Sequence, residues 1–148
     1  MGILDSTAEE PHSKFLRYVI TTVVFIGLLA LGAWWLLRYH SEKQAVKNFL
    51  DTLAAGQTQQ AYQIWRPTPS YSYDRFLEDW GPNGYYGPVR SYRIESAERF
   101  RNGSGVIVAA EISPFQPFPA PDDVAKQSKT KEARVWVEFR DHSMSFPP

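Results

Sequence analysis

The segment "SEKQAVKNFLDTLAAGQTQQAYQIW", residues 41–65, decides how the chain folds. Ala45, Val46, Phe49, Leu50 and Leu53 recur at helical spacing, which predicts a helix with one apolar face. Ser41 is placed to cap it, because its side-chain oxygen can accept from the first free backbone N–H groups. Gly56 falls where a glycine in the left-handed conformation closes a helix. Thr58 predicts the cap of a short second helix that turns Ala61, Tyr62 and Trp65 inward, until Pro67 and Pro69 break it. A helix with a single apolar stripe needs a surface to bury it, and the rest of the chain must supply one.

Downstream, "SYSYDRFLEDWGPNGYYGP", residues 70–88, places six aromatic rings in nineteen positions. Ser72 is the predicted cap of a third helix, with Asp74 in its first turn where the helix dipole favours an acid. Phe76, Leu77 and Trp80 share one face of that helix and are assigned to the core. Gly81-Pro82 stops it, and a turn-rich loop follows. After Val89 the apolar period changes from 3.6 to 2. "SYRIESAERF" (91–100) alternates Tyr92, Ile94, Ser96, Glu98 and Phe100, Asn102-Gly103 signals a hairpin, and Val106, Val108, Ala110 and Ile112 share a face of the next strand. "SPFQPFPAPDDVAKQSK" (113–129) reads as a long exposed loop. In "KEARVWVEFRD" (131–141) Val135, Val137 and Phe139 alternate against Trp136 and Glu138, and "HSMSF" (142–146) is a short fourth strand. About three helices on an antiparallel sheet is an α+β layout over residues 41–148.

Upstream lies a different kind of segment. "YVITTVVFIGLLALGAWWLL", residues 18–37, runs for twenty residues without a charge. At about 1.5 Å per residue it matches a hydrocarbon core of roughly 30 Å. Trp34, Trp35 and Tyr39 lie where amphipathic rings prefer the headgroup level. A cleaved signal peptide would have a shorter apolar region and a small-x-small cleavage site, whereas this one runs into "WWLLRYH". The segment is therefore expected to be a retained single-pass span after a tail of residues 1–17. It holds no ionisable group, so an anchor is expected, not a proton or ion path. Gly27 and Gly32 are five apart and do not form the GxxxG pairing motif. Basic residues flank both ends: Lys14 and Arg17 before, Arg38, Lys43 and Lys47 after. Their count slightly favours a cytoplasmic domain, whereas the order of short tail, uncleaved span and folded domain is that of a signal-anchor, with the domain outside. The outside face is the expectation taken forward.

Composition removes several classes of function. Sixteen basic residues balance sixteen acidic ones, and residues 41–148 alone carry thirteen of each. No basic excess exists to neutralise phosphates, so no nucleic-acid partner is expected. With no cysteine, disulfides, thiolate zinc sites and a cysteine nucleophile are all excluded. His12, His40 and His142 are too scattered to suggest a metal site, and no cofactor is expected.

The opening of residues 45–65, a helix, a Gly, and a second helix carrying Ala61-Tyr62, resembles the start of an NTF2-like domain of the cystatin-like superfamily. The third helix followed by a meander of strands agrees with that resemblance, which covers roughly residues 42–146. It implies a curved sheet wrapped around the first domain helix into a cone with an apolar cavity. It also implies a bacterial membrane-anchored type, often part of a larger assembly, so an inner membrane is expected, with the signal-anchor order putting the domain on its periplasmic side.

Three readings of function follow. In the first, the domain is a non-catalytic accessory or scaffold that docks on other membrane proteins. Its contacts would come from Tyr71, Tyr73, Tyr85 and Tyr86 on Gly/Pro-rich loops, and from Phe115 and Phe118 of the Pro-rich loop. In the second it is a tethered small-molecule-binding cone lined by Tyr62, Trp65, Trp80 and Trp136. In the third, as the resemblance implies for enzymatic relatives, Asp74, Asp79 or His142 transfers a proton, with Tyr62 or Tyr85 as donor. Helix capping already accounts for Asp74, and no catalytic constellation is evident. The first reading, without catalysis, is the expectation.

Overall fold

A computed structural model describes residues 11–148, beginning with helix α1 (Pro11–Leu37). The tail expected over 1–17 lies partly outside the described residues, and its last part, from Pro11, is helical. One helix among the described residues is long and apolar enough to cross a membrane, with a mean hydropathy of 2.2 over its most apolar stretch. Its large apolar side chains are exposed all round, from 40% at Val19 to 75% at Tyr18. The hydroxyls of Thr21 and Thr22 donate to the carbonyls of Arg17 and Tyr18, both at 2.8 Å, so neither is left unpaired.

The chain divides into two units, the first ending at Arg38 and the second running from Tyr39 to Pro148. Tyr39 takes a left-handed conformation (φ 61°), and α2 (His40–Ala54) starts directly after it. Ser41 is thus already inside the helix, where its hydroxyl donates to Glu42 at 3.0 Å instead of capping. Val46, Phe49, Leu50 and Leu53 form the buried stripe. Glu42 extends the same stripe and is buried with it. Gly56, at φ 76°, closes the helix as its position predicts. In α3 (Thr58–Trp65) the cap position is Gln57, and Thr58 instead hydrogen-bonds the Tyr73 hydroxyl at 2.8 Å. In α4 (Tyr73–Trp80) the Ser72 oxygen accepts from Arg75 N–H at 3.3 Å.

The second unit is α+β. Strands β1 (Ser91–Arg99), β2 (Gly105–Ser113), β3 (Lys131–Glu138) and β4 (Met144–Ser145) form an open antiparallel sheet in the order β1-β2-β3-β4. Arg101 and Asn102, at φ 43° and 50°, are the central pair of the turn between β1 and β2, closed by Gly103 N–H on the Phe100 carbonyl at 2.8 Å, so the double positive-φ turn lies one residue earlier than Asn102-Gly103 predicts. Val106, Val108, Ala110 and Ile112 of β2 join Ala133, Val135 and Val137 of β3 on the face covered by α2. Burying each of the Val and Ile side chains among them contributes about 1.5–3 kcal/mol. Gly105 is required at the start of β2, because a Cβ there would strike the Val137 carbonyl oxygen and come within 2.9 Å of the Trp136 indole.

Two further expectations need correction. Ile94 pairs with Ala110 but Ser96 pairs with Ala109, so Glu95 is an extra residue, a β-bulge. The bulge reverses the alternation: Ala97 joins Tyr92 and Ile94 against the core, while Ser96 and Glu98 turn to the other face. The long loop is also less free than its composition predicts. It contains a one-turn helix, α5 (Val124–Gln127), started by Asp123, and the Gln127 amide donates to the Pro119 carbonyl at 2.8 Å.

Candidate functional site

Phe49 of α2 is the hub of an aromatic cluster. Trp65 of α3 lies 5.1 Å from it and Trp80 of α4 5.0 Å, the latter edge to face. Phe76 completes the inner ring at 6.1 Å. Phe49 and Phe76 are wholly enclosed and Trp80 is 2% exposed. Tyr62 packs on Phe76 at 5.4 Å and donates its hydroxyl to the Tyr71 carbonyl at 2.8 Å. The space between the helices and the sheet is thus occupied by side chains, among them Tyr62, Trp65 and Trp80 of the expected pocket lining. Trp136 does not join them. It follows Val135 by one residue, so strand alternation turns it to the opposite sheet face, over Gly103 and Gly105.

The six expected contact residues also separate. Tyr71, Tyr73 and Tyr86 rim the cluster and are half-buried. Tyr86 stacks on Trp80 at 4.6 Å, and Tyr73 lies parallel to Phe76 at 6.3 Å. The loop after α4 brings this about by folding back, with the Tyr85 and Tyr86 amides donating to Glu78 and Asp79 carbonyls at 2.9 and 2.8 Å. Tyr85 alone of the six is exposed, at 65%, with its ring edge-on to Tyr86. Lys131 caps it from β3, its ammonium 4.5 Å above the ring and hydrogen-bonded to the Tyr85 carbonyl. Phe115 and Phe118 are half-buried under cations of the same chain, Lys126 at 5.8 Å and Arg93 at 5.0 Å.

Charged groups pin these elements together. The Tyr71 hydroxyl donates to Asp79 at 2.6 Å. Burial, then that hydrogen bond and the Asp79 charge, pushes the phenol well above its ordinary value of 10. Tyr92 of β1 likewise donates to Asp51 of α2, and burial followed by that bond raises its phenol. For Asp51, burial opposes ionisation, but hydrogen bonds from Lys47 and Tyr92 outweigh it and hold the carboxyl below 3.8. The three proton-transfer candidates are not gathered. Asp74 is exposed in the first turn of α4, Asp79 is engaged by Tyr71, and His142 lies 3.8 Å from Glu42.

Sequence reasoning passed over Phe146, Lys131 and Glu42. Phe146 lies 5.2 Å from Trp65 and parallel to Trp80 at 6.1 Å, closing the open side of the cluster. Its signal was the inward alternation of Met144 and Phe146 in "HSMSF". Among the buried side-chain polar atoms of the described residues, the Trp80 Nε1–H is left without a hydrogen-bond partner. Trp80 also borders an open groove of about 320 Å³ at the carboxyl end of α2, with Leu53, Val89, Arg90 and Gln116 among its walls. Compared with protein-family models, curated proteins and solved structures, the chain matches none.

Proposed function

We propose that this chain is a single-pass membrane protein whose NTF2-like domain, on the outer face of a bacterial inner membrane, docks onto a membrane protein assembly without catalysing a reaction. The observation that carries the reading is the filled interior. Phe49, Phe76 and Trp80 pack on one another at no more than 2% exposure, which leaves no open cavity where they meet. The exposed Tyr85 ring, held by Lys131 and the fold-back of its loop, supports a docking role, since a rigid aromatic anchor loses little entropy on binding. A tethered small-molecule-binding domain is the second reading. The groove beside Trp80, with its unpartnered indole N–H, favours it.

The test is purification of the full-length protein from its native membrane in mild detergent, with mass spectrometry of co-purifying chains and native mass spectrometry for small molecules. Docking predicts a stoichiometric protein partner that Tyr85→Ala removes while the domain's stability moves by no more than about 0.5 kcal/mol. Tyr86→Ala, which strips the ring stacked on Trp80, is expected to cost about 2 kcal/mol or more. A protein that emerges with no partner chain but a bound small molecule contradicts docking and establishes the second reading.

A further inference from the structure

The chain is neutral as a whole, with sixteen basic and sixteen acidic residues, but three of its exposed arginines gather at one end of the domain. The rings of Tyr39 and Phe139, stacked 6.1 Å apart, place the turn after β3 beside the start of α2. Arg99 lies over the Phe139 ring at 5.5 Å, which brings the β1–β2 hairpin to the same end. Residues 39–43, 99–104 and 139–143 therefore meet there. Between them they hold Lys43, Arg99, Arg101 and Arg140 against Glu42 and Asp141, with Glu98 and Glu138 at the adjoining strand ends, Glu138 accepting from the Trp136 indole at 3.3 Å. Glu42 and Asp141 are both engaged, Glu42 buried at 3.8 Å from His142 and Asp141 at 3.4 Å from Arg66. Arg99, Arg101 and Arg140 are exposed and form no ion pair among the described residues. Between them Phe100 is 39% exposed, with the Arg101 guanidinium 5.0 Å from its ring. Guanidinium groups with an apolar ring among them suit the boundary between lipid phosphates and acyl chains.

Chain connectivity limits how far the start of α2 can lie from the end of the apolar helix. The apolar helix ends at Leu37 and α2 begins at His40. Three residues reach at most about 11 Å even when fully extended. With α1 in a bilayer, the start of α2 is therefore held close to the headgroups, whose field decays over about 10 Å. We propose that the hairpin tip and the turn after β3, through Arg99, Arg101, Arg140 and Phe100, dock on anionic lipid headgroups of the bilayer that holds α1. The proposal rests on the reading of α1 as a membrane span. Docking would hold the domain in one orientation and so present a fixed face to a partner.

The absence of cysteine makes single-site labelling clean. Full-length protein carrying Ser104→Cys, Gln116→Cys or Leu29→Cys is labelled with bimane and placed in nanodiscs. The discs are phosphatidylcholine with or without phosphatidylglycerol, and a nitroxide sits either on the headgroup or deep in the acyl chain. Ser104 is in the hairpin. Gln116 borders the groove at the far end of α2, a helix of 15 residues or about 22 Å. In discs with phosphatidylglycerol the headgroup nitroxide is expected to quench the Ser104 label and spare the Gln116 label. The combined change Arg99→Gln, Arg101→Gln and Arg140→Gln lowers the ratio of docked to undocked domain by about tenfold or more, as does omitting phosphatidylglycerol. A Ser104 label no more quenched than the Gln116 label, while the Leu29 label is quenched by the deep nitroxide, overturns the proposal alone. A Leu29 label that the deep nitroxide does not reach overturns the span reading beneath it.

Discussion

Two helices adjacent in the chain solve the burial of apolar side chains in opposite ways. In α1 the apolar residues go all the way round, and every large one is exposed within the chain. In α2 they form one stripe, and Val46, Phe49, Leu50 and Leu53 fall to between 0% and 5% exposure against the sheet. A stripe can be satisfied by a single protein surface, whereas an apolar cylinder needs an apolar solvent around it. The difference lies in the pattern, since α1 has no polar face to turn to water.

Breaking the α2 side of this comparison should have the largest effect. Phe49→Ala removes the ring that touches Trp65, Phe76 and Trp80, and is expected to cost the domain about 3–5 kcal/mol in chemical denaturation. The α1 side breaks differently. Leu29→Arg places a charge at the middle of the apolar helix, with an expected insertion penalty of about 2.5–3.5 kcal/mol. Its readout is the fraction of chain that resists carbonate extraction from membranes, and the domain's own denaturation curve should stay unchanged. A smaller effect sharpens the account of the rim. Because the Tyr71 phenol is raised in the folded state, its contribution is fully present below pH 10 and is lost as the pH rises above that, where the unfolded chain's tyrosine ionises. Tyr71→Phe is expected to cost about 1 kcal/mol at pH 7 and to make the fall in stability above pH 10 shallower. An unchanged alkaline slope would show that the phenol is no better protected in the fold than in the unfolded chain.

Much of the fold could be read from local chemistry. Gly56 at its left-handed position, Ser72 at its cap and a hairpin turn at Asn102, though one residue earlier than Asn102-Gly103 predicts, each depend on local chemistry, so the sequence alone points to them. The period change after Val89 likewise located the sheet, and the apolar run located α1. What escaped depends on partners distant in sequence. The bulge at Glu95 is fixed by how β1 meets β2, and no residue in "RIESAE" announces it. The cap expected at Ser41 failed because the left-handed Tyr39 starts the helix sooner. The loop tyrosines misled for a related reason. Glycine and proline around Tyr85 and Tyr86 signal turns, but a turn can carry its ring inward as readily as outward. Here the fold-back on α4 sends Tyr86 onto Trp80 and leaves only Tyr85 outside. Trp136 is among the expected pocket-lining residues, although its place one residue after Val135 turns it to the opposite face.

The most direct measurement is the reactivity of single cysteines toward a water-soluble maleimide in intact native membranes, opened so that both faces are reached. Leu29→Cys in α1 is compared with Asn48→Cys on the exposed side of α2, both open to contact from outside the chain. A bilayer around α1 predicts that Cys at Asn48 reacts at once, while Cys at Leu29 stays unmodified until denaturing detergent is added. Equal reactivity of the two before solubilisation would contradict the division between a helix solvated by lipid and a helix buried on a sheet.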